Sequence, residues 1–165
     1  MSKKIFLNGT LILACTGLIS RIAGFFYRIF LSHAIGAEGL GLYQLILPLQ
    51  GLMAALSYTG IQSALSRLIA SRLALQEKKE AYFSLVTGIF AAVFFSAVTG
   101  FLLFRHADFF ASTILKAPGT SDFLRLTAAS IPLCAIHSCI DSYYYARKKA
   151  SVPAAVQLSE QAVRI

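Results

Sequence analysis

Four uninterrupted apolar stretches, at about residues 5–31, 40–58, 81–104 and 123–145, decide what this chain can fold into. An α-helix rises 1.5 Å per residue, so about 20 residues cross a hydrocarbon core about 30 Å thick. Each stretch meets that length. A soluble core is written differently, with apolar residues alternating or recurring every three to four positions. With 57% hydrophobic and only 13% charged residues, the chain reads as all-α: a polytopic transmembrane helical bundle of four spans plus the start of a fifth. That fifth helix begins at Pro153, a residue suited to a first helical turn, and Ile165 is reached before such a helix would cross a bilayer.

The charges fit this class. A formal net charge of +8 raises nucleic acid as a partner. The basic residues, however, flank the apolar stretches instead of forming one patch, which points to membrane lipid and away from nucleic acid. Lys3, Lys4, Arg67, Arg72, Lys78, Lys79, Arg147, Lys148 and Lys149 occupy alternate connections, whereas the others carry Arg105 and Lys116. Positively charged connections stay inside, so the reading is a multi-pass protein of the cell (inner or plasma) membrane with a cytoplasmic N-terminus. The short link at residues 32–39 and the link at 105–122 then lie outside. Residues 61–75 mix Leu65, Leu68 and Ile69 with Arg67 and Arg72, an amphipathic continuation of the second span. Lys3-Lys4 and the "ILAC" at residues 12–15 resemble processing signals, but apolar sequence continues well past Cys15. Cys15, Cys134 and Cys139 form no C-x-x-C pair, so neither a disulfide nor a metal site is expected.

Two arginines inside the first stretch need a reason. On a helix, Thr10, Ala14, Gly17, Arg21, Gly24 and Arg28 fall along one stripe, small residues and both charges together, while Leu11, Leu18, Ile22, Phe25, Phe26 and Ile29 spread over the other faces. An arginine in mid-membrane costs at least about 2.5 kcal/mol, so it requires a cavity, a partner or a nearby interface. Arg28, near one end of the stretch, can snorkel; Arg21 reaches less easily and suits an ion pair or an anion in a cavity. The fourth stretch also has a polar face, Ser130, Cys134, His137, Asp141 and Tyr145. His137 and Asp141 are one turn apart and can pair or couple to a proton, while Asp141 can equally meet the Arg147-Lys148-Lys149 cluster. Gly24, Pro48 and Pro132 are candidate hinges, since proline bends a helix and frees a carbonyl. No phosphate-binding, metalloprotease or nucleophile-elbow motif occurs, so no enzyme, cofactor or metal is expected. A helical bundle with excess positive charge inside suits an anionic solute or headgroup.

Three segments carry a resemblance: "LISRIAGFFYRIFLSHAIGAEGLGLYQLILPLQGL" at 18–52, "GIQSALSRLIA" at 60–70 and "VPAAVQLSEQAVRI" at 152–165. Together they resemble the N-terminal portion of the branch of the multidrug/oligosaccharidyl-lipid/polysaccharide (MOP) flippase superfamily that holds stage V sporulation protein B and related polysaccharide exporters. The resemblance implies two pseudosymmetric helical lobes around a central cavity, residues 1–165 being part of one lobe. The implied cargo is a lipid-linked sugar for the cell envelope or spore wall. Arg21, in Ser20-Arg21-Ile22-Ala23-Gly24-Phe25, matches the cavity arginine of the superfamily's lipid II flippases. Arg28 falls one position later than their second arginine, with Tyr27 in its place. Pro48 is followed by Leu49-Gln50-Gly51-Leu52, without the arginine those flippases carry there, which favours the sporulation and polysaccharide branch. Glu160 and Arg164 match that branch's fifth-helix motif and, one turn apart, suit an ion pair.

The function expected is therefore membrane translocation of a lipid-linked oligosaccharide or polysaccharide precursor, with Arg21 and Arg28 on the anionic headgroup. The partners expected are lipids, that substrate, and either the remainder of a transporter chain or further copies. Two alternatives rest on length: a small homo-oligomeric exporter, and an inactive truncated remnant or scaffold.

Overall fold

The computed structural model describes the backbone of residues 2–164 and the side chains of residue 11 and residues 13–163, and among these residues it contains helices and turns but no strand. In chain order they are α1 (Ser2–Ala54), a π-turn (Ala55–Thr59), α2 (Gly60–Ala74), α3 (Lys78–Arg105), the single turn α4 (Ala107–Phe109), a second π-turn (Phe110–Ile114), a 3-10 turn (Pro118–Thr120), α5 (Ser121–Ala146) and α6 (Ser151–Arg164). The fold class read from the sequence stands: an all-α helical membrane bundle.

The link expected at residues 32–39 is not a loop. Helix runs through it with one break, at Gly36, whose φ of 75° and ψ of 174° lie in a region open essentially to glycine alone. Alanine, isoleucine and leucine on either side favour helix, so one residue without a Cβ is enough to divide the first two apolar stretches. Three helical segments are long and apolar enough to cross a membrane: Leu13–Ala74, Lys78–Arg105 and Pro118–Ala146. The first holds 62 residues, about 93 Å of helix or three hydrocarbon thicknesses, and it contains the Gly36 break. The amphipathic continuation expected at 61–75 is α2, which follows α1 through the π-turn. There the i−4 ladder slips, and side-chain hydroxyls take over: Ser57 Oγ donates to the Met53 carbonyl and Thr59 Oγ1 to that of Ala54.

The chain divides into two compact units, residues 41–143 and residues 1–40 with 144–165. In the 41–143 unit, Ile46, Leu49 and Met53 of α1 share a core with Leu103, Ala107 and Ala111 after the middle of α3 and with Leu124, Ala128 and Ile131 of α5. α5 buries Leu124, Ala128, Ile131, Ala135, Cys139 and Ser142, a three-and-four spacing that marks one helix face. α3 turns its small residues Ala92, Ser96 and Gly100 inward and leaves Phe83, Phe90, Phe94 and Phe101 exposed. This inversion is what a lipid solvent produces: without a hydrophobic drive between helices, small residues let backbones approach while large ones face the acyl chains.

α3 comes against the backbone of α5 at Gly100. A Cβ built there would lie 2.8 Å from the Ala128 carbonyl oxygen. That oxygen is four residues before Pro132, so proline's missing N–H leaves it without its usual helical donor. Pro132 thus frees the carbonyl, and Gly100 lets α3 come against it. Further along α5, Cys139 Sγ sits 3.9 Å from the Gly88 carbonyl oxygen, and Ser142 Oγ shares its proton between the Ser138 carbonyl of its own helix at 2.8 Å and the Gln62 carbonyl at 3.2 Å, tying α5 to α2.

Candidate functional site

α1 carries the arginine stripe on its N-terminal half. Leucine, isoleucine and phenylalanine hold this segment helical and exposed on most of its circumference, with Leu18, Phe25 and Phe26 all more than half accessible. Thr16 and Ser20, four residues apart, are its buried polar side chains. Arg21 and Arg28 are exposed, two turns and about 10.5 Å apart along the axis. Neither forms an ion pair among the described residues, so the interior ion pair considered for Arg21 is absent from that set. Planar guanidinium groups placed this way can each grip a phosphate with two parallel hydrogen bonds. Thr10 of the expected stripe lies outside the described side chains.

Two buried oxygens in the unit formed by residues 1–40 and 144–165 lack a hydrogen-bond partner among the described residues, Ser20 Oγ and Gln161 Oε1. A buried polar group in this condition costs about 1–3 kcal/mol. Ser20 and Gln161 both lie in segments that carry the family resemblance, beside Arg21 and Glu160, but nothing in their residue type sets them apart before their burial is known. Glu160 lies exposed on α6. The Arg164 side chain is outside the described residues, so the Glu160–Arg164 pair is too.

The 41–143 unit holds the other candidates. His137 Nδ1 lies 3.8 Å from Asp141 Oδ2, one turn apart as expected but longer than a hydrogen bond. Pro48 and Pro132 both sit inside continuous helix. In α1 the non-helical backbone is at Gly36, and Gly24 keeps helical dihedrals. An ion cluster was not foreseen: Arg125 donates from Nη1 to Asp122 at 3.0 Å and from Nη2 to Asp108 at 2.9 Å. It fastens the segment that follows α3 to the first turn of α5. Asp122 was legible as an i, i+3 partner, whereas Asp108 is brought in only by the turns between the helices. Among the described residues no group of three histidine, cysteine or acidic side chains is placed to hold a metal, and the three cysteines are free thiols.

Comparison with known proteins adds the lineage. The polysaccharide biosynthesis protein family matches residues 6–165. Stage V sporulation protein B of Bacillus subtilis (strain 168) is 33% identical over 170 aligned positions, covering 100% of this chain and 32% of that protein. The chain therefore spans about a third of the length of this curated relative. No solved structure matches this chain. With apolar helices of spanning length and a family match over almost its entire length, this multi-pass membrane chain belongs to the polysaccharide biosynthesis protein family.

Proposed function

We propose that this chain forms the N-terminal part of a lobe in a flippase that passes a lipid-linked oligosaccharide or polysaccharide precursor across the bilayer. The observation that carries the reading is the pair of exposed arginines on one apolar helix, unpaired among the described residues. Two cations in a span are costly unless something anionic meets them. A diphosphate-linked sugar headgroup supplies that charge, and the relative's role in sporulation fits a cargo for the spore wall. Arg21 holds the headgroup and Arg28 receives it two turns further along. The N-terminus lies in the cytoplasm, as the distribution of lysine and arginine favours.

Motion is supplied by the break at Gly36 and by the two prolines within the helices. Gly36, Pro48 and Pro132 are positions where backbone hydrogen bonding is interrupted and helix segments can rock. Asp141 and His137 are candidates for coupling that motion to a proton, and Glu160 with Arg164 for pairing α6 to its surroundings.

The reading is tested in the complete transporter by Arg21→Ala, with export of the lipid-linked precursor measured in cells and the amount of inserted protein measured alongside. Loss of export at normal insertion supports the assignment; retained export removes Arg21 from it.

A further inference from the structure

The hairpin of α2 and α3 carries an open groove, about 570 Å³ in volume, lined on one side by Ile61, Ala64 and Leu68 and on the other by Phe83, Thr87 and Ala91. Its lining is apolar almost throughout. A second hollow of about 660 Å³, lined by Lys78, Lys79, Glu80, Tyr82, Phe83 and Val86 in the first turns of α3, shares Phe83 with it. On α3, Lys79, Phe83, Thr87 and Ala91 recur every four residues and so share one helix face. From Phe83 to Ala91 the groove runs about 12 Å along α3, close to the half-thickness of about 15 Å that one leaflet's hydrocarbon occupies.

Charge at the head of the groove is positive. Arg72 is paired with Glu77 at 2.9 Å, and of Lys78, Lys79 and Glu80 the two lysines outnumber the carboxylate. Neither lysine makes an ion pair among the described residues. A greasy channel one leaflet deep, opening at a cationic rim, is complementary to a molecule with an acyl tail and an anionic head. We propose that the α2–α3 hairpin binds an anionic glycerophospholipid, its phosphate at Lys78 and Lys79 and one acyl chain along Phe83, Thr87 and Ala91. The inference rests on the membrane setting but on neither Arg21 nor transport.

The test is native mass spectrometry of the purified membrane protein, exchanged separately into phosphatidylglycerol and phosphatidylcholine with matched acyl chains. Wild-type protein is expected to retain phosphatidylglycerol and release phosphatidylcholine. Each lysine removed is expected to weaken retention about fivefold, so Lys78→Gln with Lys79→Gln reduces it about 25-fold. Lys148→Gln with Lys149→Gln, neither of them among the residues that line the groove or the hollow, leaves it unchanged. Ala91→Trp fills the tail channel and lowers retention with the lysines intact; where this variant does not reach the membrane, the lysine pair alone decides. Equal retention of the two lipids, undiminished retention in the lysine variant, or a groove occupied by another helix or a second copy of the chain would overturn the proposal.

Discussion

Replacing Gly100 with alanine puts a methyl group where α3 and α5 leave no room. The new Cβ would sit 2.8 Å from the Ala128 carbonyl oxygen, whereas ordinary van der Waals contact begins at 3.4 Å. The helices must then part by about 0.6 Å, and a gap of 0.5–1 Å forfeits about a quarter to a half of each dispersion contact. Ser96, Leu103, Ala128 and Ile131, all buried in this unit, share that loss. Overpacking of this kind costs about 1–3 kcal/mol, opposed by at most about 1 kcal/mol from alanine's better helix propensity. Gly51, in the same unit, meets nothing within 4 Å of its added Cβ and is the internal reference. Equilibrium unfolding in mixed detergent micelles is expected to place Gly100→Ala about 1–3 kcal/mol below Gly51→Ala. Gly88→Ala falls between them, because its obstacle is the tip of the Leu65 side chain, which can change rotamer. Pro132→Ala gives the Ala128 carbonyl a helical donor again and alters the surface Gly100 packs on. The two substitutions should therefore couple by at least about 0.5 kcal/mol in a double-mutant cycle. Equal stabilities for Gly100→Ala and Gly51→Ala would refute the packing argument.

Other perturbations act on single features. Gly36→Ala forces an L-residue into a glycine-only backbone region and is expected to cost about 1–3 kcal/mol in the same unfolding assay, whereas Gly41→Ala, with open space around its Cβ, costs nothing measurable. Ser142→Ala removes the hydroxyl that bridges α5 to Gln62 of α2, and such interhelical bonds in membranes are worth about 0.6 kcal/mol and at most about 1.7. Arg125→Gln releases Asp108 and Asp122 together, but all three side chains are well exposed. Its cost should stay near or below about 1 kcal/mol and shrink when the unfolding is repeated at high salt.

Much of this architecture was legible because a bilayer imposes a length. Stretches at 81–104 and 123–145 anticipate α3 and α5 within a few residues, and Pro153 falls in the first turn of α6. The break between the first two stretches was legible only in part: Gly36, Gly39 and Gly41 mark a turn in the sequence, but which glycine takes positive φ depends on how the flanking helices continue. The inward face of α3 was overlooked, although Gly88, Ala92, Ser96 and Gly100 stand four residues apart and small residues at that spacing mark a packing face in lipid. Hydrophobicity hid it, since the outward phenylalanines dominate the pattern. The Arg125–Asp108 contact joins residues far apart in the chain, and nothing local announces it. At the site, Arg21 and Arg28 stood out because charge is rare in a span, whereas Ser20 and Gln161 became visible only once their burial without partners was known.

The central claim is that Arg21 holds an anionic headgroup during translocation. It is tested most directly by reconstituting the complete transporter, wild type and Arg21→Ala, into liposomes and measuring the rate at which a fluorescent lipid-linked diphosphate sugar crosses the bilayer. Hydrogen bonds to a charged group are worth about 1.5–3 kcal/mol, so the variant is expected to flip about 10- to 100-fold more slowly, with Arg21→Lys between the two. An Arg21→Ala protein that inserts normally and flips at the wild-type rate would contradict the account.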